Sequence, residues 1–443
     1  MNANEAPAGA ASAPPERPLV SVVMANWRGE RYLAPAIASV LAQSVANLEL
    51  LVADDASDDR SAEIVQAAMA RDSRVRWLPT EVNAGPAAAR NRALDAARGE
   101  WIAIMDSDDL VHPRRLELLI EAAGRFGADL VADDMAFFGD RAGTGGRTLL
   151  ETLGLTGPMP VDAASFVEAA LGRSDRPDLG YTKVVIRRAA LGSLRYDPGL
   201  RVGEDYDLCL RLLLRGLRFV LVPLPTYLYR RHSVSLSHRL SVGALQSLIR
   251  AHRTALKDLP PDDARLARAM AQRGRMLERA LDYEELVEAI KGFSPGRMAG
   301  LLARNPALIG RLGRSIAERA SRPDMRRPKP KPDPVRVALL PNGAELPPEA
   351  GEGDDHQEAL HCPDLALDRL DAAPRLVRAS CRLTDLASRA PLTVTTFGQA
   401  GADLLGLLPP DARAELWLSK EEASAARGLS YPQVSLRCLG TSA

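Results

Sequence analysis

The chain has 443 residues, of which 46% are hydrophobic and 26% charged, and its 57 Lys/Arg balance 57 Asp/Glu. That length allows two or three domains with a large buried core. Zero net charge excludes bulk electrostatic attraction to nucleic acid, and the longest apolar runs, such as residues 219–224, fall far short of the ~20 residues of a membrane span.

Residues 1–18 are rich in Ala and Pro, with no apolar core and no basic start. They read as a disordered lead-in, not a signal peptide. Residues 19–25 (LVSVVMA) and 48–53 (LELLVA) are continuous, β-branched-rich runs, the pattern of buried parallel strands. Between them, residues 31–43 carry apolar positions at helical spacing. A helix is expected over 61–71 and a short strand over 75–78. An alanine-rich helix follows over 85–97, closed by Gly99. Residues 101–105 (WIAIM) read as another buried strand, and 113–124 as a helix with Pro113 in its first turn. Strands alternating with helices predict an α/β fold with a doubly wound, mostly parallel sheet. Ligands in such sheets bind at the carboxyl ends of the strands.

Residues 139–160 are Gly/Thr/Pro-rich and read as a loop; strands are expected over 181–187 and 219–223, and a helix over 204–214 ending near Gly216. The domain reading is a catalytic domain over 19–240, a basic helical extension over 241–321, a Pro-rich basic linker over 322–334 and a small α/β C-terminal appendix over 335–443. Short strands are expected in the appendix at 335–340, 392–396 and 414–418. Residues 239–332 hold 20 Lys/Arg against 10 Asp/Glu, whereas residues 333–443 hold 10 against 16. The linker should be extended. Of the four cysteines, Cys209, Cys362, Cys381 and Cys438, none forms a CxxC pair or zinc spacing. They read as free thiols in a reducing compartment.

Acidic residues recur where the chemistry would be. Asp106-Ser107-Asp108-Asp109 ends a strand, so that carboxylates two apart can point into one cleft. A hard divalent cation takes such oxygens together with substrate phosphates. The same residues could simply form an acidic turn capping the next helix. Asp54-Asp55 also ends a strand, and capping by Asp58 or Asp59 would leave that pair without a structural role. A carboxylate there suits hydrogen bonding to a base or ribose. Arg90, one turn into a helix after Asn83-Ala84-Gly85-Pro86, can reach a diphosphate or base; a solvated arginine is the plain alternative. Glu204-Asp205-Tyr206-Asp207 opens a helix, where the dipole alone favours acids. Asp205 could also accept the proton of an acceptor hydroxyl. His232, in Tyr229-Arg230-Arg231-His232, is either a surface residue or a metal or phosphate ligand, with Arg230 or Arg231 clamping phosphate.

Taken in order, VSVVMANWRGERYLAPAIASVLAQ, LELLVADDAS, NAGPAAARNRAL, GEWIAIMDSDD, LRVGEDYDLCLRLL and YLYRRHSVSLS resemble the family 2 glycosyltransferases of the GT-A fold, over residues 19 to about 240. Within that family the chain looks like bacterial enzymes that build exopolysaccharides such as succinoglycan. The resemblance implies an inverting, metal-dependent transferase that takes a sugar from a UDP-sugar. Asp55 would contact the uracil with Asp54 beside it, Ala25 and Trp27 would line the base pocket, and Arg90 would contact the nucleotide. Asp106 and Asp108 match the DxD motif that binds ribose, diphosphate and Mn²⁺ or Mg²⁺. Asp205 matches the catalytic base and Glu204 its neighbour, and His232 matches a position that helps hold metal or diphosphate. The acceptor would be a glycan or a polyprenyl-diphosphate-linked sugar. Ala56 stands where the family usually has Gly, and Trp27 where Tyr is common. No QxxRW signature of processive synthases follows residue 205.

Two other classes compete. A sugar-phosphate nucleotidyltransferase would carry a Gly-rich loop after the first strand, where this chain has ANWRGERYL with one glycine. A catalytically inactive glycan-binding or assembly subunit would have no need of Asp106, Asp108 and Asp205. The sequence places the protein in the cytoplasm. Residues 297–331, with 10 Lys/Arg against 2 Asp/Glu, suit either peripheral contact with the anionic inner leaflet or a helix packed on the catalytic domain. Donor sugar, linkage and oligomeric state are not written in these residues.

Overall fold

The structure, a computed structural model, describes residues 17–138, 148–172, 176–231, 240–310 and 312–313, and by backbone alone five strands between 335 and 438. In chain order the first part runs β1 (Val20–Asn26), α1 (Leu33–Leu41), β2 (Leu48–Asp54), α2 (Ser61–Arg71), β3 (Val75–Pro79), α3 (Pro86–Ala96), β4 (Trp101–Asp106), β5 (Leu110–Val111), α4 (Arg115–Phe126) and β6 (Leu130–Phe138). It continues with β7 (Met159–Val161), α5 (Ala163–Ala169), β8 (Val185–Arg187), α6 (Arg188–Leu191), α7 (Glu204–Leu214), β9 (Phe219–Arg230), α8 (Val242–Ala255), α9 (Ala264–Lys291) and α10 (Pro295–Arg304).

Alternating side chains of the central strands feed two cores. Val23, Leu51, Ile102 and Ile104 pack on one face with Phe166 of α5 and Leu208 of α7. Val22, Met24, Leu50, Val52 and Met105 pack on the other with Ile37 of α1 and Leu119 of α4. A sheet covered on both faces favours continuous apolar runs, and β2 is buried throughout, its two acids Glu49 and Asp54 included. Each fully buried Val, Leu or Ile contributes about 1.5–3 kcal/mol. The sheet order is β3-β2-β1-β4-β8-β6-β9-β5, with β7 beside β9. Strands β3, β2, β1 and β4 are parallel, and β8 runs antiparallel between β4 and β6. Asn26 pairs with Asp54, and Ala25 with Asp106, so the carboxyl ends of β1, β2 and β4 finish level.

The expected strands and helices of the first hundred residues are present, with differences that have local causes. Gly85 precedes α3 at φ 92°, so the helix starts at Pro86. Gly99 does not close α3, which ends at Ala96 with Ala97 already extended. A Cβ on Gly99 would lie 2.5 Å from the Ser21 amide nitrogen, so this glycine lets the chain pass close to β1. Pro113 lies before α4, not in its first turn. The expected strand at 181–187 is only Val185–Arg187, preceded by a 3₁₀ turn at Leu179–Tyr181. β9 runs on to Arg230, well past residue 223. The sequence reading missed β6 because Asp133 and Asp134 interrupt its apolar run. Both are buried. Asp133 receives two hydrogen bonds of 2.8 Å from Arg115. Asp134 accepts from the Met135 and Leu150 amides, and burial pushes its carboxyl up to about 6.

The helical extension is built into the first core: Leu266, Ala269 and Met270 of α9 join α5 and α7 there. Arg265 bonds Asp162 and Glu168 at α5. The apolar side of α10 faces α9, where Leu301, Met298 and Leu302 meet Leu286, Ala289 and Tyr283, whereas Phe293 and Ile309 are exposed. Of the basic stretch to residue 331, residues 311 and 314–331 lie outside the described residues, as does the linker. Among the described residues no helix is long and apolar enough to cross a membrane. In the C-terminal appendix the backbone forms β10 (Val335–Pro341), β11 (Glu358–Cys362), β12 (Leu392–Phe397), β13 (Arg413–Leu418) and β14 (Val434–Cys438). They make an all-parallel sheet of order β11-β10-β12-β13-β14. Three of these strands coincide with the expected ones, and two short mixed segments, 358–362 and 434–438, carried too little pattern to be read.

Candidate active site

Five charged side chains converge beyond the carboxyl end of β4. Arg90 enters from α3, Asp106 from the end of β4, Lys183 from the segment before β8, and Glu204 and Asp205 from the first turn of α7. Arg90 Nη1 donates to Glu204 Oε1 and Nη2 to Asp106 Oδ1, each at 2.6 Å. Lys183 Nζ lies 2.8 Å from Asp106 Oδ2 and 2.6 Å from Asp205 Oδ2. Asp205 Oδ1 accepts from the Tyr196 hydroxyl at 3.0 Å and is 3.9 Å from Arg90. Two cations thus face three carboxylates, with Arg90 and Lys183 both buried. Removing one member of such a buried network costs about 3–5 kcal/mol, since it strands an unpaired charge.

Burial alone would raise the Asp106 and Asp205 carboxyls. The adjacent Lys183 and Arg90 outweigh it and hold both below the usual carboxylate range. Burial works to lower the Lys183 ammonium, and the Asp106 and Asp205 charges push it well above its ordinary value. Gly203 supplies the left-handed turn, φ 78°, from which α7 starts, and a Cβ there would lie 2.8 Å from Leu248 of α8. The Tyr196 backbone is pinned by Asn91, whose side chain makes reciprocal bonds of 2.9 and 2.8 Å to its carbonyl and amide.

The acidic turn after β4 is not a helix cap; α4 begins at Arg115 with no side-chain cap bond. Asp106, Asp108 and Asp109 instead bring one oxygen each within 4.8 Å of one another. Asp109 is buried and accepts from the Tyr227 hydroxyl at 2.6 Å and the Arg230 amide at 2.7 Å. Burial, with the charges of Asp108 and Asp106, raises its carboxyl well above normal. It anchors the turn to β9, as does Arg230, whose Nε donates to the Asp108 carbonyl at 2.6 Å. Asp108 is less enclosed. Carboxylate oxygens alone, at least one of them accessible, fit a hard cation such as Mn²⁺ or Mg²⁺, which completes its shell with waters and phosphate oxygens.

The other residues named by the sequence fall as follows. Asp54 and Asp55 are buried and have structural partners that the sequence did not reveal. Asp54 accepts from Asn26 at 2.8 Å and from the Ser57 hydroxyl and amide at 2.7 and 3.0 Å. Asp55 accepts from the Ala84 and Gly85 amides at 3.0 and 2.7 Å, which ties β2 to the start of α3. Arg90 is no solvated helix arginine. Ala25 is half-buried at the end of β1. Trp27 is 45% exposed, with the Arg28 guanidinium 4.9 Å from its ring centre. Arg230 is buried against Tyr32, and Arg231 lies over Phe137. His232 lies outside the described residues. Cys209 is a buried free thiol. Lys183, Tyr196 and Tyr227 were missed. A single lysine before an apolar run and two isolated tyrosines carry no pattern that a sequence scan would flag.

The mixed, mostly parallel sheet, with the acidic turn and Asp205 at its level carboxyl ends, is the GT-A fold of glycosyltransferases. A family model described as Glycosyl transferase family 2 matches residues 21–179. The succinoglycan biosynthesis protein ExoO of Rhizobium meliloti (strain 1021) is 33% identical over 310 residues, which cover 69% of this chain and 87% of that one. The UDP-Glc:alpha-D-GlcNAc-diphosphoundecaprenol beta-1,3-glucosyltransferase WfgD of Escherichia coli is 42% identical over 103 residues, 23% of this chain and 40% of WfgD. Among solved structures, S. aureus TarS 1-349 in complex with UDP-GlcNAc superposes with TM-score 0.51 at 18% identity, covering 65% of this chain and 81% of TarS 1-349. The chain belongs to the family 2 glycosyltransferases.

Proposed function

We propose that this glycosyltransferase moves a sugar from a UDP-sugar to a hydroxyl of a glycan or polyprenyl-diphosphate-linked acceptor during bacterial surface polysaccharide synthesis, inverting the anomeric centre. The observation that carries this reading is the joining of Asp106 and Asp205 through one buried ammonium, 2.8 and 2.6 Å away. A donor-side carboxylate and a base candidate from distant parts of the chain thereby face one cleft. The names of ExoO and WfgD support the polysaccharide setting, and that of WfgD a UDP-sugar and a lipid diphosphate.

In this reading the acceptor oxygen attacks C1 of the donor as the bond from C1 to the diphosphate oxygen breaks. The acceptor proton passes to Asp205, and UDP leaves with the bonding electrons. Asp106 faces ribose and diphosphate, and Asp108 with Asp106 would hold a divalent cation. When bound, that ion neutralises the charge developing on the departing diphosphate. Glu204 anchors Arg90, which borders the nucleotide. Asp54, Asp55, Ala25 and Trp27 form the base end of the site, and the family resemblance would give His232 a part in holding metal or diphosphate. The domain divisions read from the sequence go with this proposal, as do a cytoplasmic location and peripheral contact with an anionic leaflet. With the apolar side of α10 turned to α9, that contact would rest on Phe293, Ile309 and the basic residues around them.

The test is UDP release from a panel of UDP-sugars with Mn²⁺, Mg²⁺ or EDTA. One donor should be hydrolysed slowly with metal and not with EDTA. Asp108→Ala should lower that rate about 100-fold or more. Asp205→Asn should remove transfer to acceptor. Metal-independent turnover, or unchanged transfer by Asp205→Asn, would overturn the assignment concerned.

A further inference from the structure

Lys183 is bound more tightly than a charge-balancing lysine requires. Its own carbonyl accepts from Arg115 Nη2 at 2.6 Å, and Arg115 is in turn held by Asp133, so the backbone at this position is fixed. A buried ammonium needs one carboxylate for neutrality; this one holds two, one from the end of β4 and one from α7. Asp106 Oδ1 is occupied by Arg90 and Asp205 Oδ1 by Tyr196. Each Asp205 oxygen therefore has one fixed donor, and the remaining lone pairs have a set direction. Without Lys183 the Asp205 carboxylate could swing towards Arg90, at present 3.9 Å away.

We propose that Lys183 is a positioning residue that ties the base Asp205 to the donor-side carboxylate Asp106, so that engagement of Asp106 by a nucleoside diphosphate sets the orientation of the base. This rests on the reading of Asp205 as the base. A reacting oxygen displaced by 1 Å can cost about 100-fold in rate, and that is the lever Lys183 holds. Arginine keeps the charge and can span two carboxylates with a different fork, so it should restore function in part.

The experiment uses the full chain as wild type, Lys183→Met, Lys183→Arg, Asp205→Asn and the Lys183→Met/Asp205→Asn double variant. Turnover is followed with the UDP-sugar that gives the fastest UDP release, and binding of UDP with Mn²⁺ by calorimetry. Lys183→Met should lower kcat about 100-fold while donor KM and the UDP Kd change less than about threefold. Lys183→Arg should recover about tenfold of that loss. In the Asp205→Asn background, Lys183→Met should add no further loss, because a residue acting through Asp205 has nothing left to orient. The proposal falls if Lys183→Met keeps wild-type kcat, or if its loss compounds fully with Asp205→Asn. It also falls if both lysine variants lose UDP binding in step with turnover, which would make Lys183 a structural or donor-binding group. Wild-type transfer by Asp205→Asn would remove the base reading itself, an outcome distinct from these.

Discussion

Ala56 shows how a single residue can carry a cost the fold does not need. It follows Asp55 at φ 61°, in the left-handed region that disfavours any residue with a Cβ. The conformation is imposed from both sides, because Asp54 and Asp55 are locked by their bonds to Ser57, Ala84 and Gly85. Ala56→Gly should therefore stabilise the protein by up to about 1 kcal/mol, the relieved strain being partly offset by the greater freedom of glycine when unfolded. The check is an increase in urea midpoint at constant slope; a decrease would mean that the Ala56 methyl packs favourably enough to outweigh its strain. At this scale the site was half legible. Asp106, Asp108, Glu204, Asp205 and Arg90 stood out because acids at strand ends and at a helix start recur in one order. Asp55 bonds the Ala84 and Gly85 amides and Asp54 the Asn26 side chain, all far along the chain, and Lys183 matters only because β8 runs antiparallel beside β4. No local pattern records either fact.

Among the elements, the amino ends of the strands are fastened by one carboxylate. Glu49 of β2 accepts from the Ser21 hydroxyl of β1 at 2.7 Å, from Arg76 of β3 at 2.8 Å, and from the amide and guanidinium of Arg98 at 2.8 and 2.9 Å. Burial would raise its carboxyl, but these bonds together bring it below the ordinary value of 4.5. A carboxyl with a depressed native pKa contributes stability that is present above its unfolded pKa and is lost as pH falls through the native one. Glu49→Gln should thus cost about 2–3 kcal/mol at pH 7. The gap between wild type and variant should be flat above pH 4.5 and close below it. A gap independent of pH down to acid would show that shape, not charge, holds the junction. The elements around Glu49 were readable because a sheet covered on both faces has continuous apolar strands. β6 was not, since its two central acids are accommodated by Arg115 and by the Met135 and Leu150 amides, which the apolar pattern does not display. β9 was cut short because Pro223 and Pro225 read as breaks; the β6 pairing shifts register across this stretch, between Asp133 and Met135.

At the scale of the whole molecule, the two sheets are paired separately. Among the described residues nine strands form the first, whereas the five parallel strands of the C-terminal appendix pair with one another. The helices α8 and α9 belong with the first sheet: Ala255, Leu266, Ala269 and Met270 lie in its core, and the Gly203 turn before Asp205 packs against Leu248. The extension is therefore expected to be indispensable to α7, which carries Asp205, and the appendix dispensable to donor hydrolysis. The stretch 322–334 offers trypsin a single bond, Arg326–Arg327, because Arg322, Arg327, Lys329 and Lys331 each precede Pro. Limited trypsin digestion at that bond should release a fragment ending at Arg326. That fragment should keep donor hydrolysis within about twofold of the intact chain, since the strands it loses pair with none of the first sheet. A chain ending before α8 should lose hydrolysis and unfold at lower temperature, because it exposes the apolar face that Leu248, Leu266 and Met270 now cover. If the tryptic fragment instead lost activity while retaining its melting temperature, the appendix would have to contribute directly to the reaction.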